Sequence, residues 1–152
     1  HLLAHLTDRA KKNGLENVQF IPNGSELEAL SVIDRLDAGL LCWNNSVLYE
    51  FGTSAIKMPF YLAFGKPVLQ AYSGEYDQVI QRKIGITVPA EDGEALAAAI
   101  ISLQKMDQKA RSAIISNAKK NADNFFSSKN QVQVIENILL KEYNDHSDTS
   151  IL

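Results

Sequence analysis

Tyr49-Glu50-Phe51-Gly52-Thr53-Ser54-Ala55-Ile56-Lys57-Met58-Pro59-Phe60-Tyr61-Leu62-Ala63-Phe64-Gly65-Lys66-Pro67-Val68 is the stretch on which the fold turns. It follows Ala38-Gly39-Leu40-Leu41-Cys42-Trp43, an apolar run without alternation. Such a run is expected of a strand covered on both faces, as in a parallel sheet. A loop with a glycine, two hydroxyl residues and a lysine comes next, then a short apolar segment, Gly-Lys-Pro and a new strand. Pro59 cannot donate an interior helical bond. A helix starting near Ile56 puts it in the first turn, where no N–H is missed; a kinked helix is the alternative. Backbone N–H groups at a helix start have no partner inside it and attract anions. Gly52 lets the backbone approach a ligand closely, and Thr53, Ser54 and Lys57 add donors. The stretch therefore reads as a phosphate-binding corner. An ordinary capped strand-to-helix turn with a solvated lysine is the competing reading.

Outward from this corner, strands alternate with helices. Leu2, Leu3, Leu6 and Ala10 recur at helical spacing, and Asn13-Gly14 supply a stop. Val18 to Ile21 reads as a short strand ended by Pro22-Asn23-Gly24. Ser25 and Glu28 form a capping-box pair before a helix carrying Leu27, Leu30 and Ile33. Val68 to Gln70 is the next strand, Glu75 to Lys83 a helix and Gly85 to Val88 a strand. Asp92 and Asp107 are placed to cap two further helices. Ser128 and Gln131 repeat the capping-box pattern before a last helix ending near Tyr143. The polar residues 144–152 read as a disordered tail. The expectation is an α/β domain over residues 1–143 with a parallel sheet, right-handed crossovers and closing helices. In such sheets ligands sit at the carboxyl ends of the strands. That side would carry the loops Pro22 to Ser25, Trp43 to Ser54 and Ala71 to Glu75.

Composition narrows the function. A length of 152 residues suits one domain with a real core. The net charge of −3, with no face visibly stacked with Lys and Arg, argues against a dedicated nucleic-acid surface. The single cysteine, Cys42, excludes an internal disulfide and a cysteine-based zinc site. Its apolar setting predicts a buried thiol and a cytoplasmic location. His1 and His5 have a metal-like helical spacing but no third ligand, so no metal site is expected. The apolar runs are too short to span a membrane. The chain begins at His1, and a portion of a longer protein is expected.

The order of elements resembles the C-terminal half of GT-B glycosyltransferases of the family-4 type (glycosyl transferases group 1). Asn17-Val18-Gln19-Phe20-Ile21-Pro22-Asn23-Gly24 is similar to that family's "NV-F-G" strand and loop, and Ile33-Asp34-Arg35-Leu36-Asp37-Ala38-Gly39-Leu40 to its "ADVGL" strand approach. Phe51 to Met58 is similar to "FGISPNKL", and Tyr61 to Val68 to "YLAAGKPV". Gly85-Ile86-Thr87-Val88-Pro89 with Glu94 to Ile100 resembles the "G-V-P … EALA-AI" ending. The family usually carries glutamates where this chain has Gly52 and Phe60. A subset similar to the glucosyltransferase-3 and galactofuranosyltransferase group tolerates an apolar residue at the second position and keeps the lysine matched by Lys57.

The resemblance implies a Rossmann-like parallel sheet with helices on both faces, part of a GT-B C-terminal domain. It implies transfer of a hexose from a nucleotide sugar, UDP-linked by expectation, to a glycan or lipid-linked acceptor in polysaccharide biosynthesis. No cofactor is implied. Gly52, Thr53, Ser54 and Lys57 would hold the diphosphate. Asn23 and Gly24 would lie near the base, and Tyr49 and Glu50 would border the sugar. No catalytic residue is assigned. The other partner would be an N-terminal half of the same protein, through which peripheral membrane association could arise. The alternative reading, motivated by Phe60, is a non-catalytic module that binds nucleotide sugars or proteins.

Overall fold

The computed structural model describes residues 2–22 and 24–147, without the side chains of 145–147. The chain divides into two units, His1–Ser31 and Val32–Leu152.

In the first unit, helix α1 (Leu2–Lys12) ends as its sequence directs. Gly14 takes a φ of +65°. Its N–H donates to the Lys11 carbonyl, and Leu15 N–H reaches back to the Ala10 carbonyl at 3.0 Å. This pair of backward bonds closes the last turn, and glycine alone takes that conformation without strain. The capping box forms at the start of helix α2 (Glu26–Asp34). Ser25 N–H donates to the Glu28 carboxylate at 2.6 Å, and Glu28 N–H donates to the Ser25 hydroxyl at 3.3 Å. The Ser25 backbone bond, with the Ser25 hydroxyl, holds the Glu28 carboxyl below its ordinary value. The strand expected over Val18 to Ile21 is absent. A strand exists only against a partner, and these four residues join no sheet; Val18 and Ile21 are exposed.

The second unit is an α/β fold of the Rossmann-like kind. Strands β1 (Gly39–Cys42), β2 (Val68–Ala71) and β3 (Gly85–Val88) form a parallel sheet in the order β1-β2-β3. Gly39 stands opposite Val68, and Val68 opposite Gly85. Helix α3 (Lys57–Ala63) joins β1 to β2, and the short helix α4 (Gln78–Gln81) joins β2 to β3. Helices α5 (Gly93–Lys105) and α6 (Gln108–Asn121) follow. A π-helical segment, Ala122–Phe126, then leads into α7 (Ser128–Ser147).

The alternation of side chains along β2 splits the core into two layers. Val68 joins Leu41, Met58, Tyr61, Leu62, Val79, Ile84 and Ala118 on the face covered by α3 and α6. Leu69 joins Ala99 and Leu103 on the face covered by α5. Central-strand Gln70 is 2% exposed and donates to Asp77 Oδ1 at 3.3 Å. That oxygen also caps α4 by accepting from Val79 and Ile80 N–H. A buried amide is tolerable here because its partner is fixed by the helix it caps.

Several expectations need correction. Strand β1 is covered on one face only: Leu41 is buried, whereas Leu40 is 45% exposed and Cys42 is exposed, not buried. Helix α5 packs on β2 and β3, which leaves the second face of β1 open. The helix expected over Glu75 to Lys83 is one turn long, because Asp77 rather than Glu75 caps it. Gln131 does not close a box with Ser128; its side chain donates to the Phe125 carbonyl, left open by the π turn. The last helix runs past Tyr143 to Ser147, and residues 148–152 of the expected tail lie outside the described residues. Among the described residues no helix is long and apolar enough to cross a membrane.

Candidate functional site

The carboxyl ends of β1 and β2 open into two clefts. Pro59 is the third residue of α3, within its first turn as the sequence requires. The helix start is nevertheless a poor anion cradle. Ile56, at the cap position, offers no side-chain bond, Met58 N–H is already given to the Ala55 carbonyl, and Pro59 has none to give. With two of its first N–H positions lost, the helix start leaves side chains as the main donors for an anion. Ser54 and Lys57 supply them, lining a cleft of about 310 Å3 with Leu40, Cys42 and Trp43. Both are exposed, and neither side chain has a hydrogen bond or ion pair among the described residues.

The second cleft, about 300 Å3, is lined by Asn44, Asn45, Ser46, Tyr49, Glu50, Tyr72, Ser73 and Gly74 among others. Three of its hydroxyls are committed: Ser46 caps the short 3-10 turn Val47–Tyr49, Ser73 accepts from Ala90 N–H at 2.9 Å, and Tyr72 donates to the Tyr49 carbonyl. The side chains of Asn44, Asn45 and Glu50 remain free among the described residues. Two amides and a carboxylate provide both donors and acceptors, the set that a polyhydroxylated ligand needs.

An aromatic pair stands between the clefts. Trp43 lines the first, Tyr49 the second, and their rings meet at 5.0 Å with a 57° tilt. The Trp43 indole N–H is buried without a partner among the described residues. A buried donor left this way costs about 1–3 kcal/mol unless something outside the chain accepts from it.

The loop after β1 is held from the β2 side. Tyr72 hydroxyl donates to the Tyr49 carbonyl at 2.6 Å, Glu75 N–H to the Glu50 carbonyl at 2.9 Å, and Gln78 Nε2 to the Thr53 carbonyl at 3.4 Å. Gly52 has a φ of +124°, open to glycine and strained for other residues. Burial pushes the Tyr72 phenol above its ordinary value, with Asp77 acting in the same direction.

The residues singled out from sequence are thus distributed. Ser54 and Lys57 share one cleft, Tyr49 and Glu50 the other, and Gly52 and Thr53 lie in the loop between without lining either. Gly24 belongs to the first unit, where a Cβ would meet the Glu28 carboxylate; Asn23 lies outside the described residues. Phe60 lines a separate cleft with Pro59, Ala63, Ala122 and Phe126, against the π segment. Asn44 and Asn45 were not anticipated, although a polar pair directly after an apolar strand was their signal. Compared with known proteins, the chain matches no family model and no curated protein.

Proposed function

We propose that this chain is the donor-binding portion of a glycosyltransferase that moves a hexose from a nucleotide sugar, UDP-linked by preference. The observation that carries the reading is the rim itself: Ser54 and Lys57 in one cleft and Asn44, Asn45 and Glu50 in the adjoining one, all with side chains free among the described residues. In a parallel sheet this is the side on which ligands bind. Lys57, as a cation beside a hydroxyl, suits a diphosphate, and it would stabilise the charge that builds on the leaving nucleotide. Glu50 would repel phosphate, so its place is with sugar hydroxyls. The resemblance supplies the remaining parts as proposals: a glycan or lipid-linked acceptor, an N-terminal half of the same protein, and a cytoplasmic setting.

Phe60 favours a second reading. It lines an apolar-walled cleft with Pro59, Ala63 and Phe126, so α3 brings no carboxylate to ribose hydroxyls at that position. A nucleotide-sugar-binding module without transfer activity fits that feature.

Titration calorimetry with UDP and UDP-hexoses tests both. The wild-type chain is expected to bind, and Lys57→Ala to bind about tenfold more weakly, as befits one charge-assisted contact. Absent binding, or equal binding by the two proteins, would defeat the assignment of the phosphate site. Hexose transfer by the full-length protein separates the enzyme from the module.

A further inference from the structure

We infer that Tyr72 is a positioning residue: its buried hydroxyl, bonded to the Tyr49 carbonyl, holds residues 44–53 in the ligand-ready arrangement. The inference rests on the nucleotide-sugar reading for the identity of the ligand, but not for the existence of the latch.

Three observations carry it. First, Tyr72 is 4% exposed and spends its hydroxyl proton on a main-chain carbonyl 23 residues earlier, at 2.6 Å. A buried hydroxyl needs a partner, and this one takes it from the main chain of the rim loop rather than from its own strand or helix layer. Second, the turn after it is cut to fit. A Cβ at Gly74 would run into both the Tyr72 phenol and the Tyr49 carbonyl, so the chain crosses directly over the hydrogen bond. Third, the residue held is the one that matters for the rim. Tyr49 packs its ring on Trp43, and these two aromatics divide the clefts. The Glu75–Glu50 and Gln78–Thr53 bonds hold the loop on the far side of Tyr49. Only the Tyr72 bond holds Tyr49 itself from the β2 side among the described residues. Loss of that bond frees the aromatic wall while the sheet beneath keeps its pairing.

Tyr72→Phe removes one hydroxyl and keeps the ring, so packing is preserved. The chain has a single tryptophan, and Trp43 reports on the wall directly. In the 152-residue chain, Tyr72→Phe is expected to shift Trp43 emission to longer wavelength. Amide exchange over residues 46–53 should rise about tenfold, the scale of one lost hydrogen bond. The melting temperature should stay within a few degrees of wild type, and UDP affinity should fall about three- to tenfold. Gly74→Ala, which wedges the latch open, should move emission and exchange the same way. Unchanged emission and exchange in Tyr72→Phe would overturn the proposal. So would unchanged UDP affinity in a variant whose loop has loosened. If wild type does not bind UDP, the nucleotide-sugar reading fails, and emission and exchange still decide whether the latch exists.

Discussion

At the scale of single residues, the glycines divide by what surrounds them. Gly85 begins β3 directly opposite Val68, and a Cβ there would strike the Val68 main chain. Gly39 begins β1 under the ring of Tyr61, which is 8% exposed and has nowhere to go. Gly93, at the first position of α5, has nothing within 4 Å of the added atom. Gly85→Ala and Gly39→Ala are therefore expected to destabilise the fold by about 1–3 kcal/mol, the usual cost of overfilling a packed site. Gly93→Ala is expected to be neutral or to stabilise by up to about 1 kcal/mol, because alanine is the better helix former and restricts the unfolded chain. Urea melts of the three variants check this. A Gly85→Ala protein as stable as Gly93→Ala would mean that Gly85 and Val68 do not face each other across β3 and β2.

At the scale of elements, three helix starts, at Ser25, Asp92 and Asp107, were written in the sequence, and strand environments were not. Asp92 and Asp107 accept from Ala95 and Ala110 N–H at 2.8 and 2.9 Å, as their spacing predicts. Replacing either with alanine is expected to cost about 0.5–2 kcal/mol, measured as a shift of the denaturant midpoint at constant slope. Asp77→Ala should cost more than either, since it also strands the buried Gln70 amide. The Asp92 and Asp107 caps were legible because the interaction is local, between a side chain and an N–H three residues on, whereas Asp77 was not read as a cap. The strands were legible in type but not in setting. Ala38 to Trp43 is apolar throughout, yet which face is covered depends on where α5 lies, and nothing in the neighbouring sequence records that. Val18 to Ile21 failed for the same reason: composition suggests a strand, but only a neighbouring ladder makes one. The candidate site was half legible. Lys57 and Ser54 stood out by chemistry and Asn44-Asn45 carried a local signal as a polar pair after an apolar strand, whereas the Tyr72 bond to the Tyr49 carbonyl depends on the fold that brings the β1 and β2 loops together.

At the scale of the whole molecule, two buried phenols make the fold lose stability as the pH turns alkaline. Burial pushes both Tyr61 and Tyr72 above the ordinary tyrosine value of 10.0. Tyr61 packs in the core layer beneath the sheet, and Tyr72 sits at its carboxyl rim. With the folded value above the unfolded one, the folded chain keeps protons that the unfolded chain has already released. Stability from this source is complete below about pH 10 and declines as pH rises through the raised values. Each phenol contributes a slope of at most about 1.4 kcal/mol per pH unit across that window. Thermal melts of the wild-type chain between about pH 8 and 12 are expected to show the decline beginning near pH 10. The Tyr61→Phe, Tyr72→Phe double variant, compared with its own midpoint at about pH 8, should decline less steeply, because it has no buried phenol left to ionise. Its remaining tyrosines are not core residues. An equally steep decline in the double variant would place the alkaline weakness elsewhere, and would mean that neither hydroxyl is as enclosed as the packing around it requires.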